Sequence, residues 1–206
     1  MIARRTRPRP AHSRPSRNAR LALVPASSTA IRPLKRVEYD QLVAAGAFEH
    51  ERVELLDGMV IRMPPPHGPE HHGTIQLLHK RLVRALGERA DVRVQSAFAA
   101  SDDAEPEPDL AVVPVRDYRD AHPDSAFLII EVAVSSVSYD RDKAATYARA
   151  GVPEYWLVDV PRAVVEVYRV PVDGAYEQRT THRRPEVLRA GAFADVEVAL
   201  DAVLRG

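Results

Sequence analysis

The sequence predicts an α/β fold of the mixed α+β kind: a central mixed sheet with helices packed on it, in one domain. Three observations lead there. Two short apolar runs, Leu110-Ala111-Val112-Val113 and Phe127-Leu128-Ile129-Ile130-Glu131-Val132, lie between polar or proline-containing breaks, as buried strands do. A helical stripe of His71, Ile75, Leu78, Leu82 and Ala85 runs through residues 70–86. Helical and strand patterns then follow one another without an internal repeat.

Taken in order, Val37 to Ala45 is predicted as a short helix closed by Gly46. Arg52 to Met63 reads as a hairpin turning on Asp57-Gly58. Glu70 to Leu86 reads as the amphipathic helix, stopped by Gly87. Val92 to Ala99 is predicted as a strand, and the two apolar runs follow, separated by a polar loop. Ser138 is a candidate cap for a helix running to Ala150, with Gly151 as its stop. Glu154–Val158, Val164–Val170 and Ala175–Thr181 are predicted strands, followed by a short end near Val196. The single tryptophan, Trp156, and Tyr155 read as core packing rather than as a base-stacking pair.

Composition narrows the class. The 206 residues suffice for one domain with a sizeable core. The absence of cysteine excludes disulfides and thiolate zinc sites and suits a reducing, cytoplasmic setting. No apolar run approaches the roughly 20 residues of a membrane span. The zero net charge hides an asymmetry. Residues 1–33 hold eight arginines and no acid, leaving 21 basic against 29 acidic side chains, a formal charge of −8, from residue 34 on. The first segment is rich in Pro, Ser and Ala and is predicted to be a disordered basic tail. A dispensable tail, or a start codon set too early, is the preferred reading; a nucleic-acid-binding arm is the alternative.

The chemistry-bearing feature is a pair of carboxylates. Asp109 opens the first apolar strand and Glu131 sits inside the second. An isolated ionised carboxylate in a core strand costs several kcal/mol unless compensated. A hard divalent cation such as Mg²⁺ or Mn²⁺ prefers such oxygen ligands and would let both acids stay ionised. Glu54, between Val53 and Leu55, is a third acid in an apolar setting. Lys143 lies early in the helix after Glu131; on spacing alone, pairing with Asp140 or Asp142 is the simpler reading. Tyr147, four residues on, shares its helix face. His71 heads the apolar stripe and points to the core, either as a satisfied core histidine or as a ligand, proton shuttle or phosphate contact. His67, His71 and His72 form no convincing zinc pattern.

Five separated blocks carry a resemblance: Arg52–Gly58, Gly68–His71, Pro108–Leu110, Glu131–Lys143 and Tyr147–Asp159. Together they resemble the Uma-type putative restriction endonuclease family of the PD-(D/E)XK nuclease superfamily, over residues 34–204. The resemblance implies a restriction-endonuclease-like core in residues 34–206. It implies a Mg²⁺ or Mn²⁺ site built from Glu54, Asp109 and Glu131, with Lys143 as the catalytic lysine and His71 at the family's histidine position. The superfamily's usual lysine position is Ala133 here; in the family the following helix supplies the lysine, and Lys143 fits. The expected activity is metal-dependent hydrolysis of DNA by an endonuclease. Two alternatives stand beside it: a retired nuclease fold that binds nucleic acid or protein, and a metal hydrolase of another phosphoester.

The charge of −8 opposes broad attraction to DNA, whose binding rests largely on phosphate contacts. Three ways around it are a local arginine cluster drawn from Arg81, Arg84, Arg89 and Arg93, the basic tail, or a homodimer that pools two weak patches.

Overall fold

Alternating burial organises the structure, a computed structural model that describes residues 30–63 and 68–205. The predicted basic tail, up to residue 29, and His67 lie outside the described residues. The elements below belong to the unit spanning residues 32–206. They are α1 (Arg36–Ala44), β1 (Val53–Leu56), β2 (Met59–Arg62), α2 (Pro69–Leu86), β3 (Asp91–Val94), β4 (Leu110–Val113), β5 (Leu128–Ala133), α3 (Val137–Arg149), β6 (Glu154–Asp159), β7 (Val164–Val172), β8 (Ala175–Arg183), β9 (Val187–Ala190) and β10 (Phe193–Ala199).

Six strands form the central sheet in the order β3-β4-β5-β6-β7-β8. All neighbours are antiparallel except β5 and β6, which α3 joins as a crossover. Because side chains alternate across a strand, each buried strand feeds two cores. Leu110, Val112, Leu128, Ile130, Val132 and Trp156 pack with the α2 stripe of Ile75, Leu78, Leu82 and Leu86. Ala111, Ile129, Ala133, Tyr155 and Leu157 face the other way and meet Ala144 and Tyr147 of α3. The result is a mixed sheet flanked by helices, the architecture the apolar runs predict.

The β1–β2 hairpin turns where expected: Asp57 at φ 50° and Gly58 at φ 73° supply the two left-handed residues of a two-residue turn. Gly46, Gly87 and Gly151 stand just beyond α1, α2 and α3, as the sequence predicts.

Three expectations are corrected. The strand predicted over 92–99 ends at Val94, because Gln95 adopts φ 43° and turns the chain out of the ladder. The helix predicted from a Ser138 cap begins at Val137, with Ser136 at the cap position; the Ser136 hydroxyl donates to Asp140 Oδ2 at 2.5 Å. The predicted short end is a hairpin, β9–β10, which buries Leu188, Ala190, Val196 and Val198 in the α2-side core. Its brief alternating strands offer little pattern to read. Among the described residues no helix is long and apolar enough to cross a membrane.

Candidate active site

Sheet register aligns the two key acids. Leu110 pairs with Ile130, so Asp109, one residue before β4, comes opposite Glu131. Each side chain then clasps the other's strand. The Val132 N–H donates to Asp109 Oδ2 at 2.8 Å, and the Asp109 N–H donates to Glu131 Oε2 at 3.2 Å. The chain approaches this point through Glu105-Pro106-Glu107-Pro108, an extended segment because the residue before each proline avoids the helical region. That segment straps β1 to the sheet: Glu105 and Leu55 exchange backbone bonds, and the Glu107 N–H donates to Glu54 Oε2 at 3.0 Å.

The sheet and both long helices deliver the remaining groups. His71, in the first turn of α2 and buried, places Nε2 3.1 Å from Asp109 Oδ2. Gln95 reaches Asp109 Oδ1 at 3.4 Å, so the left-handed turn at Gln95 serves the same carboxylate. Lys143 projects from α3 between two acids, 2.6 Å from Glu131 Oε1 and 3.1 Å from Glu54 Oε2. Its ion-pair partners are therefore Glu131 and Glu54 rather than Asp140 or Asp142. Tyr147 donates to Glu131 Oε1 at 2.7 Å, and Tyr139 donates to Glu54 Oε1.

These residues differ in what they face. One cavity is lined by His71, Asp109, Glu131 and Lys143, together with Arg52, His72, Gln95, Glu107, Tyr139 and Asp140. Glu54 is absent from that lining and is fully enclosed. Its oxygens are taken by the Glu107 N–H, Tyr139 and Lys143. The structure thus brings together all five residues expected of the site, but in two tiers: Asp109, Glu131, Lys143 and His71 at the cavity, and Glu54 behind the lysine.

Electrostatics follow from burial. Desolvation pushes the Glu131 carboxyl up to about 8; Lys143 pulls it back and Asp109 pushes it further up. Burial disfavours the Lys143 ammonium, but Glu131 and Glu54 outweigh it and raise its pKa, so the amine stays protonated. Burial, then Glu54, raises the Tyr139 phenol, which keeps its proton to donate. Asp140, also buried, is raised by desolvation while its Ser136 bond and Lys143 oppose the rise.

No set of three or more His, Cys, Asp or Glu among the described residues forms a ready-made metal cage. The donor chemistry at the cavity nonetheless fits a hard divalent cation that keeps several waters. Two carboxylates converge, Asp109 Oδ1 has only one long contact among the described residues, and the raised Glu131 is an acid whose ionised form a nearby cation favours. Sequence reasoning missed Gln95, Tyr139 and Asp140. Tyr139 and Asp140 had one signal, their place in the first turn of the same helix as Lys143; Gln95 had none.

The fold is shared with a putative nuclease belonging to DUF820 from Anabaena variabilis ATCC 29413: 17% identity, TM-score 0.67, covering 83% of this chain and 97% of that one. The type IIG restriction endonuclease BpuSI gives a far looser match: 16% identity and TM-score 0.35, over 52% of this chain and 12% of that one. No curated protein matches the sequence. The Uma2 family model, described as "Putative restriction endonuclease", matches residues 36–202, nearly the whole length of the described fold, and the chain belongs to that family.

Proposed function

We propose that the chain is a metal-dependent endonuclease that hydrolyses DNA phosphodiester bonds. The observation that carries this reading is the reciprocal clasp of Asp109 and Glu131, with a protonated lysine at the same cavity, in a chain of this family. Asp109 and Glu131 would hold Mg²⁺ or Mn²⁺; the ion when bound supplies Lewis-acid polarisation of the scissile phosphate and a more acidic water.

The chain's own groups do the rest. In hydrolysis a water oxygen bonds to phosphorus, one P–O ester bond breaks, and a proton ends on the departing oxygen. Lys143 presents a fixed positive charge to the phosphate oxygens as charge builds on them. Glu54, with Tyr139 and the Glu107 N–H around it, holds that ammonium in place; its role is positioning rather than ligation. His71 and Gln95 fix the rotamer of Asp109, and Tyr147 fixes that of Glu131.

Supercoiled plasmid, single-stranded DNA and RNA incubated with Mg²⁺ or Mn²⁺, with and without EDTA, test the reading. Metal-dependent nicking or linearisation of the plasmid, lost in a folded Asp109→Ala variant, is the expected result. Cleavage by Asp109→Ala equal to wild type would sink the mechanism. Cleavage of RNA alone would assign the other phosphoester, and metal binding without any cleavage would assign a retired fold.

A further inference from the structure

The site needs a way to hold a polyanion in a body of charge −8, and α2 carries an exception to that charge. Its only acid is Glu70, in the first turn. From the cavity outward, His72, Gln76, Lys80 and Arg84 follow at every fourth residue and are all exposed. Residues at that spacing share one face of a helix. His72 itself lines the cavity that holds Asp109 and Lys143. At 1.5 Å per residue, the stripe runs about 18 Å away from it.

Charge pairing sets this stripe apart. Many arginines elsewhere on the surface sit against carboxylates: Arg89 on Asp195, Arg149 on Asp57, Arg169 on Glu154, Arg189 on Glu197. Lys80, Arg81 and Arg84 pair with no described carboxylate. Two of the arginines the sequence offered as a local cluster are engaged elsewhere. Arg89 also stands 5.4 Å over Phe193, and Arg93 stands 5.3 Å over Tyr118. A purely solvated helix face in an acidic protein would gain from acids placed a turn away from its cations. Here Lys80 and Arg84 have no carboxylate partner among the described residues, lie in line, and lead at one end to the cavity.

We infer that the His72–Gln76–Lys80–Arg84 face of α2 is the track for the phosphate backbone of DNA that enters the cavity, an inference that rests on the nuclease reading. Contacts of this kind position the substrate and carry no sequence information. They release counterions, and log K falls with log[salt] by about 0.9 per phosphate neutralised on duplex DNA.

The test uses the full chain in an Asp109→Ala background and a fluorescein-labelled 20-base-pair duplex, with anisotropy read from 50 to 200 mM salt. Lys80→Gln/Arg84→Gln should weaken binding at least fivefold at about 100 mM salt and make the salt slope less negative by about 2. Arg119→Gln/Arg162→Gln, two cations already paired with Asp117 and Asp159, should leave both unchanged. Matching melting curves will show that all variants fold. Salt-dependent binding that Lys80→Gln/Arg84→Gln leaves intact would overturn the track and spare the nuclease reading. No binding of duplex or single strand at 50 mM salt would overturn the track and, with it, DNA as the substrate.

Discussion

Replacing Lys143 with methionine tests the central claim about how the site is held. The ammonium lies 2.6 Å from Glu131 and 3.1 Å from Glu54, and all three side chains are within 5% of full burial. With Glu131 ionised and an effective dielectric constant of about 20, those contacts represent gross attractions of about 6 and about 5 kcal/mol. Most of that is offset by the cost of taking three charges out of water. The removal of one partner is different, because it strands the others: about 3–5 kcal/mol of stability should be lost. Methionine keeps much of the side-chain volume, so little of the loss would come from packing. Urea denaturation followed by fluorescence of Trp156, the only tryptophan and fully buried, gives the free energy directly. At about 2–4 °C per kcal/mol for a domain of this size, melting should fall by roughly 10 °C. The deficit should deepen as pH rises, since a neutral Glu131 tolerates the loss and an ionised one does not. Glu54→Gln/Lys143→Met should recover about 1–3 kcal/mol relative to additivity, because it removes one stranded charge. A Lys143→Met protein within about 1 kcal/mol of wild type above pH about 8, where Glu131 is ionised, would refute the reasoning, since a buried pair of this kind does not break so cheaply.

Three further outcomes are expected. Glu54→Gln should leave Mn²⁺ affinity by calorimetry within about threefold of wild type while cleavage falls roughly 10- to 100-fold, as befits a group that acts through Lys143; a large loss of metal affinity would instead make Glu54 a ligand. Burial, then Asp40, raises the Glu105 carboxyl to about 7, with Arg36 pulling back. The folded state therefore binds the proton more tightly than the unfolded state. Stability should fall as pH rises from the ordinary carboxylate range to about 7 and level off above it, and Glu105→Gln should flatten that part of the profile and be the more stable protein at higher pH. Gly58→Ala should cost about 2–4 kcal/mol in urea denaturation: its φ of 73° is left-handed, and a Cβ there would meet Pro33 Cβ at 2.2 Å and the Leu34 nitrogen at 3.1 Å.

Local signals decided much of this protein. Continuous apolar runs fixed β4 and β5, a helical stripe fixed α2, Asp-Gly fixed the first hairpin, and two acids in core strands announced a charged site. These patterns are legible because each reports a burial preference carried by neighbouring residues. The tertiary structure decided the rest, where the cause lies far along the chain. Gln95 ends β3 because its turn meets Asp109, and Ser136 opens α3 while its side chain turns to Asp140. Glu54 is a further case. Its sequence context shows only an acid among apolar residues, equally suited to a metal ligand or a counterion. Its enclosure behind Lys143, 89 residues away, follows from how β1 is strapped to the sheet edge, and no local pattern encodes that distance. The sequence by itself marked Glu54, Asp109 and Glu131 as acids in apolar settings; packing determined which charged groups are enclosed with them and which face the cavity, because that depends on what stands between each one and water.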